Sequence, residues 1–308
     1  TTYDVNLLVV SPNGCKHDIT GSVEVYSYIN AAFSVSSVKG CSPLEVSVTN
    51  NSAGDIDYYW FWDDNDLDTT SAAKIDSTIS DPEFSKTYVN KTGGVQEKWM
   101  TLIVANDQGC TDTIKRKITI YPEVTADFDP SDDKGCNPFT VDFTNNSVYT
   151  GTSDSSNLSY DWDFGDGGSS SENNPEHTFN NSLPDDTTYT VEMVASSSYG
   201  CTDTADTSIT VHDYIEANFS VDDPNGCAVK TVNINNTSTG GIDDYTWDYG
   251  DGTTEKWTDS SNTHDYNNKT DTVKEYELKL TVKNDNGCTS AKSQTMTVYP
   301  NINAGFEM

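Results

Sequence analysis

Basic residues are scarce in this chain of 308 residues: Lys and Arg number 17 against 49 Asp and Glu, for a formal net charge of −32. A field of that sign repels nucleic-acid phosphates and anionic headgroups, so no nucleic-acid partner is expected. Long apolar runs are missing too. The longest, Leu7, Leu8, Val9 and Val10, falls far short of the roughly 20 residues of a membrane helix, so no membrane insertion is expected. Only four histidines occur, His17, His177, His212 and His264. There is no His-Glu-x-x-His, no Cys-x-x-Cys, no Gly-x-Ser-x-Gly elbow and no phosphate-cradling glycine loop, so the chain reads as no enzyme. A hydrophobic fraction of 34% with a mean hydropathy of −0.62 leans toward disorder. Against that stand 17 Tyr, 10 Phe and 6 Trp, too many aromatics for a solvating tail, so thin folded cores under a polar skin are expected.

The length alone suggests two domains, with one or three allowed, but the chain repeats itself. Phe33, Phe128, Phe219 and Phe306 stand in related Ala-x-Phe triplets, and Gly-Cys follows the first three at Cys41, Cys136 and Cys227. A second Gly-Cys series, Cys15, Cys110, Cys201 and Cys288, keeps the same three spacings. Two markers in one period define copies at 29–121, 122–214 and 215–301, with 1–28 as the closing hairpin of a preceding copy and 302–308 as the start of another. With Thr at position 1 and no signal peptide, the sequence reads as a slice through a longer tandem array.

Within each copy, short stretches alternate apolar and polar residues: Val46 and Val48, Tyr189, Val191 and Met193, Tyr276, Leu278 and Leu280. Period two means half-buried strands, and about seven of them in 90 residues, with Asn, Gly, Ser and Asp punctuation and no amphipathic helix, point to an all-β antiparallel sandwich. The second copy reads YDWDFGDG from Tyr160 to Gly167 and the third YTWDYGDG from Tyr245 to Gly252. Tyr160, Trp162 and Phe164 fall on one strand face, suited to burial, and Gly165 and Gly167 permit a tight turn. A PEHTF or NTHDY segment and then TYTVEMV or EYELKLTV follow. The pattern resembles the PKD (polycystic kidney disease) domain, which implies tandem immunoglobulin-like sandwiches in an extended rod. The first copy departs from it: YYWFWDDN keeps Trp60 and Trp62 but has Asp63 and Asn65 where glycines are expected. The GCSPLEV, GCNPFTV and GCAVKTV heads, paired with GCTDT-type hairpins, resemble arrays in large secreted proteins of gliding, surface-adhesive bacteria of the Bacteroidetes type. That resemblance implies a cell-surface adhesin stalk.

Seven repeat-locked cysteines in an exported array argue for disulfides. In an immunoglobulin-like sandwich the head cysteines (Cys41, Cys136, Cys227) lie at one pole and the hairpin cysteines (Cys110, Cys201, Cys288) at the other. A seven-residue strand separates the poles by over about 20 Å, beyond disulfide reach. Pairing between stacked domains, Cys41 with Cys201 and Cys136 with Cys288, is one reading, leaving Cys15, Cys110 and Cys227 for neighbours. Pairing within copies, Cys41 with Cys110, Cys136 with Cys201 and Cys227 with Cys288, stays open because it leaves only Cys15 unmatched.

Aspartates crowd the turns at Asp64, Asp66 and Asp68, at Asp132 and Asp133, and at Asp185 and Asp186. Hard oxygen donors at this density suit calcium, the one cofactor expected, although Thr69 and Ile75 stand where an EF-hand loop needs Gly and Glu. The plainer reading is solvated charge that keeps a rod soluble. Asp163 and Asp166 recur as Asp248 and Asp251, which fits hydrogen-bonded turns better than a catalytic carboxylate pair. Trp62 and Trp257 exceed the shared core and could stack on a sugar or anchor an interface, or cover the edge of their own domain. The expected function is a non-enzymatic stalk of spacer repeats in a filament of an extracellular, cell-surface protein. Its partners would be neighbouring repeats, surface polysaccharide or other surface proteins. The competing expectation is a carbohydrate-binding or accessory array of a secreted enzyme.

Overall fold

The computed structural model describes residues 1–54, 57–62 and 83–302. Two compact units divide the chain: Thr1–Thr125 with Ser147–Ser159 and Ala195–Asp203, and Ala126–Asn146 with Tyr160–Val194 and Thr204–Met308. All regular structure among the described residues is β, and no helix there is long and apolar enough to cross a membrane.

The first unit begins with an antiparallel hairpin, Thr2–Val10 against Lys16–Glu24, exposed along its whole length. Two sheets follow. One orders Phe33–Val35, Leu44–Asn50 and Glu83–Tyr88; the other orders Lys39–Cys41, Thr111–Tyr121, Gln96–Ala105 and Asp57–Phe61. Alternation puts Val46 and Val48 from one sheet, and Met100, Leu102 and Val104 from the other, into a single fully buried core with Trp60, Ile118 and Ile120.

The second unit repeats this plan. Phe128–Pro130, Phe139–Asn145 and Glu176–Phe179 form one three-stranded sheet, and Phe219–Val221, Lys230–Asn236 and Ser261–Tyr266 another. A five-stranded sheet orders Asn225–Cys227, Thr289–Tyr299, Lys274–Lys283, Asp244–Asp248 and Thr254–Glu255. Its inward side chains meet those of the three-stranded sheet in a core built on Phe219, Trp247, Tyr249, Tyr266, Leu278 and Leu280. Aromatics of this size dominate such cores, each costing about 3–5 kcal/mol when truncated to Ala.

One detail departs from a purely antiparallel sandwich. The opening strand changes sheets: Phe33–Val35 runs antiparallel to Leu44–Asn50, whereas Lys39–Cys41 runs parallel to Thr119, Ile120 and Tyr121. The same parallel pairs recur as Lys134–Gly135 with Thr210 and Val211, and as Asn225–Cys227 with Thr297, Val298 and Tyr299. A chain that crosses between sheets before it reverses reaches the last strand in parallel sense.

A buried asparagine fixes the end of each sandwich. Asn90, Asn181 and Asn268 are at most 2% exposed. In the third copy, Asn268 Nδ2 donates to the carbonyls of Thr272 at 2.8 Å and Val298 at 2.9 Å, and Oδ1 accepts the Thr270 amide at 2.9 Å. Asn90 and Asn181 make the matching bonds to Ile120 and Val211. Because buried carbonyls left without donors are costly, Asn268→Ala is expected to lower stability by about 2–4 kcal/mol. Asn268→Asp, which cannot donate, should fall as far. Urea unfolding monitored by tryptophan fluorescence checks both, and an unchanged midpoint would contradict the anchoring role.

Candidate functional site

The repeated Trp-Asp-x-Gly-Asp turn gathers a polar cluster in each well-matched copy. Asp163 Oδ1 accepts the Gly165 amide at 2.9 Å, and Asp166 Oδ1 accepts the Gly168 amide at 2.8 Å. The other oxygen of Asp166 meets His177 Nε2 at 2.8 Å, and the imidazole lies flat on Phe164, 4.0 Å between centroids. The third copy reproduces this with Asp248 on Gly250, Asp251 on Thr253 and on His264 at 2.8 Å, and His264 stacked on Tyr249 at 3.8 Å. Gly165 has a φ of +76°, and a Cβ there would collide with the Thr190 carbonyl, so both the turn and its close approach need glycine. In the first copy, Trp62 takes the place of Phe164, and Lys86 takes that of His177, its Nζ 5.7 Å above the Trp62 ring.

These carboxylates are held by turn amides and an imidazole, so they serve as structural acceptors. Burial pushes the Asp166 carboxyl up, but the hydrogen bonds from His177 and the Gly168 amide outweigh it and hold the group below the usual carboxylate range. Asp251 follows the same balance through His264 and Thr253.

Trp62 and Trp257 both pack on their own sandwich. Trp62 stacks on Trp60, 5.8 Å between centroids, with Phe84 edge-on. Trp257 lies 4.2 Å from Trp247 at an interplanar angle of 3°, and its indole N–H donates to Tyr249 Oη at 3.0 Å. The Tyr249 hydroxyl donates in turn to Glu255, and burial, with Glu255 nearby, pushes its pKa up to about 12. Each indole therefore offers a ligand one face at most.

Of the aspartates singled out for calcium, Asp132, Asp133, Asp185 and Asp186 lie among the described residues. Asp186 is occupied by His212 Nδ1 and the Asp213 amide, both at 3.0 Å. Asp185 uses its backbone carbonyl on Asn181, and the Asp133 carbonyl accepts the Thr210 amide. Among the described residues no three of His, Cys, Asp and Glu are grouped as metal ligands. Asp64, Asp66 and Asp68 lie outside the described residues.

Two disulfides are present, each inside one compact unit. Cys41 is bonded to Cys201 with 5.6 Å between Cα atoms, and Cys136 to Cys288 with 5.5 Å. Both join one sequence copy to the next. Beside the first, Tyr121 and Tyr199 stack at 4.9 Å; beside the second, Asn284 Nδ2 donates to the buried Asp213 carboxylate at 2.6 Å. The within-copy pairing of Cys41 with Cys110, Cys136 with Cys201 and Cys227 with Cys288 is not formed, and Cys15, Cys110 and Cys227 are free thiols. The register supplies the reason. Cys41 sits opposite Tyr121, the last residue of a strand that starts at Thr111, next to Cys110. Eleven residues at about 3.3 Å each separate the two cysteines' positions by about 36 Å, far beyond disulfide reach.

The buried asparagines, the Asp–His pairs and the stacking of imidazole on the ring before the turn were all missed in the sequence. Asn90, Asn181 and Asn268 do keep the cysteine spacing, which was the available signal.

The Asp–His pair generates a pH-dependent prediction. Because the folded state holds the Asp251 carboxyl below its ordinary value, its stabilisation is full above the unfolded value of about 3.9 and is lost as pH falls through the folded value. Asp251→Asn is therefore expected to cost about 1–2 kcal/mol at pH 7. The gap to the parent should close as the medium is acidified below about pH 4. Urea midpoints across that range check it; a gap that persists in strong acid would remove the carboxylate from the account.

Comparison with known proteins gives these features a family. The sequence model described as PKD domain matches residues 122–211 and 216–299, together more than half of the chain. The chain is similar to the PKD1 domain of Vibrio anguillarum Epp, 28% identical over 29% of this chain and 94% of that one, with a TM-score of 0.23. It is similar to the PKD1 domain from the Vibrio cholerae metalloprotease PrtV, 27% identical over 28% of this chain and 96% of that one, with a TM-score of 0.23. An I-band fragment of titin aligns at 12% identity over 90% of this chain and 100% of that one, with a TM-score of 0.47. With the Trp-Asp-x-Gly-Asp turn in both matched segments and an all-β, immunoglobulin-like arrangement of sheets, the chain belongs to the PKD domain family.

Proposed function

We propose that this chain is a structural, adhesive array of an extracellular protein, its repeats acting as non-enzymatic spacers. The finer reading is a stalk segment of a large exported cell-surface adhesin of the kind carried by gliding, surface-adhesive bacteria. The observation that carries it is the pair of disulfides that bind successive copies rather than the interior of one. Such bonds add nothing to a catalytic pocket; they hold neighbours in a fixed relation, which is what a spacer has to do. Disulfides persist in oxidising compartments, in keeping with a location outside the cytosol. The charge of −32 favours solubility and mutual repulsion between neighbouring chains. The turn carboxylates are consumed by amides and imidazoles, which supports architecture over acid–base chemistry.

Single-molecule extension tests the spacer role. With both bridges intact, much of the chain lies inside covalent loops, so reduction with dithiothreitol should lengthen the fully unfolded chain about 2.5-fold at about 3.5 Å per residue. Equal lengths with and without reductant would overturn the reading. Binding to a glycan array supplies the other arm: no retention is expected, and Trp257→Ala should lower stability alone. Polysaccharide retention that Trp257→Ala abolishes, with the fold intact, would instead make this a carbohydrate-binding module.

A further inference from the structure

The Gly-Cys segments are alike in atomic detail, and they come in two complementary kinds. Four are hairpin tips. In each, the cysteine amide donates to a side-chain oxygen four residues earlier: Ser11 at 3.1 Å, Asn106 at 2.9 Å, Ser197 at 3.2 Å and Asn284 at 2.8 Å. The amides of those four residues return to the carbonyls of Cys15, Cys110, Cys201 and Cys288. The preceding glycines share φ values of +81°, +78°, +83° and +86°.

Three are receiving edges. Cys41 and Cys227 stand opposite Tyr121 and Tyr299 in the parallel pairing, and the next amide, of Ser42 or Ala228, donates to that tyrosine's carbonyl at 3.1 Å. Cys136 takes the same place one residue after the Gly135–Val211 pair. A Cβ on Gly40, Gly135 or Gly226 would strike the side chain four residues on, Leu44, Phe139 or Lys230. The three edges thus share one backbone plan, though Ser42 and Asn137 also accept an asparagine amide where the third copy has Ala228.

Two of the edges hold a tip, Cys41 with Cys201 and Cys136 with Cys288. The third does not: Cys227 is an exposed thiol, and Tyr299 beside it is 43% exposed, whereas its counterpart Tyr121 is stacked on the tip residue Tyr199. The tips at Cys15 and Cys110 are unbonded as well, and Cys110 lines an open cleft of about 350 Å³ with Tyr28, Ile29 and Asp112.

We propose that the Cys227 edge is a docking site for the Gly-Cys hairpin of a further copy of the repeat, closed by a disulfide; the inference rests on the reading of the array as copies stapled in series. In a glutathione buffer the step is two exchanges. The Cys227 thiolate attacks glutathione disulfide and releases one glutathione thiol. The hairpin thiolate then attacks the Cys227 sulfur of the mixed disulfide and releases the second. The two protein thiols are oxidised and one glutathione disulfide is reduced.

A second copy of this chain can supply the hairpin, which makes the test direct. Isotopically light and heavy preparations are mixed at high concentration in oxidised and reduced glutathione, then digested without reduction and mapped. The expected product is the Cys227 peptide of one molecule joined to the Cys15 or Cys110 peptide of another. Cys227→Ser should cut cross-linked species at least tenfold. Recovery of Cys227 only as a free thiol, a glutathione adduct or a Cys227–Cys227 pair would overturn the docking site. The same digest separates this failure from a failure of the series reading, because loss of the Cys41–Cys201 and Cys136–Cys288 peptides would overturn that reading itself.

Discussion

The span of one β-strand against the reach of one disulfide sets the organisation of this chain. A disulfide holds its Cα atoms about 4.4–6.8 Å apart, while the strand Thr111–Tyr121 carries the chain several times that distance from the hairpin cysteine to the head cysteine's neighbour. Cysteines fixed at opposite ends of one sandwich must find partners elsewhere. Sequence copies that might have closed on themselves are therefore covalently tied to the next.

The polar groups inside each sandwich complement this external bonding. The Trp-Asp-x-Gly-Asp turn uses one aspartate on its own amides, and the second on both an amide and an imidazole from the facing sheet. Stacking on Phe164 or Tyr249 fixes the imidazole plane, and the carboxylate fixes its edge. The buried asparagine gives donors to the last strand and to its own loop. Turn and asparagine both tie loops to the sheets near the start of the strand Lys274–Lys283, so the sandwich does not depend on its thin apolar core alone.

Much of this was legible in the residues. The common spacing of the two cysteine series marked the copies, and alternation along 158–163 and 274–283 identified the core faces, since a strand's period of two leaves little choice. The doubled Asp of the turn also read correctly as a hydrogen-bonding element. What stayed hidden depends on contacts across space. Asn268 is one polar residue among many, and its burial follows only from the sheets that close over it. Asp251 and His264 are separated by a loop whose length differs from that between Asp166 and His177, so no fixed spacing announces the pair. The parallel strand is too short to leave a pattern. Trp257 read either as a ring for a ligand or as a cover for its own domain's edge, and the closed fold shows the second by laying it flat on Trp247.

The two disulfides overlap along the chain: one encloses Cys41 to Cys201, the other Cys136 to Cys288, with sequence separations of 160 and 152. Cleaving the backbone once at any peptide bond from Cys41 to Cys288 leaves both pieces attached, since every such bond falls within at least one ring. A protease that nicks a loop in this stretch would leave the molecule whole, and complete severance would require further cuts or a reductant.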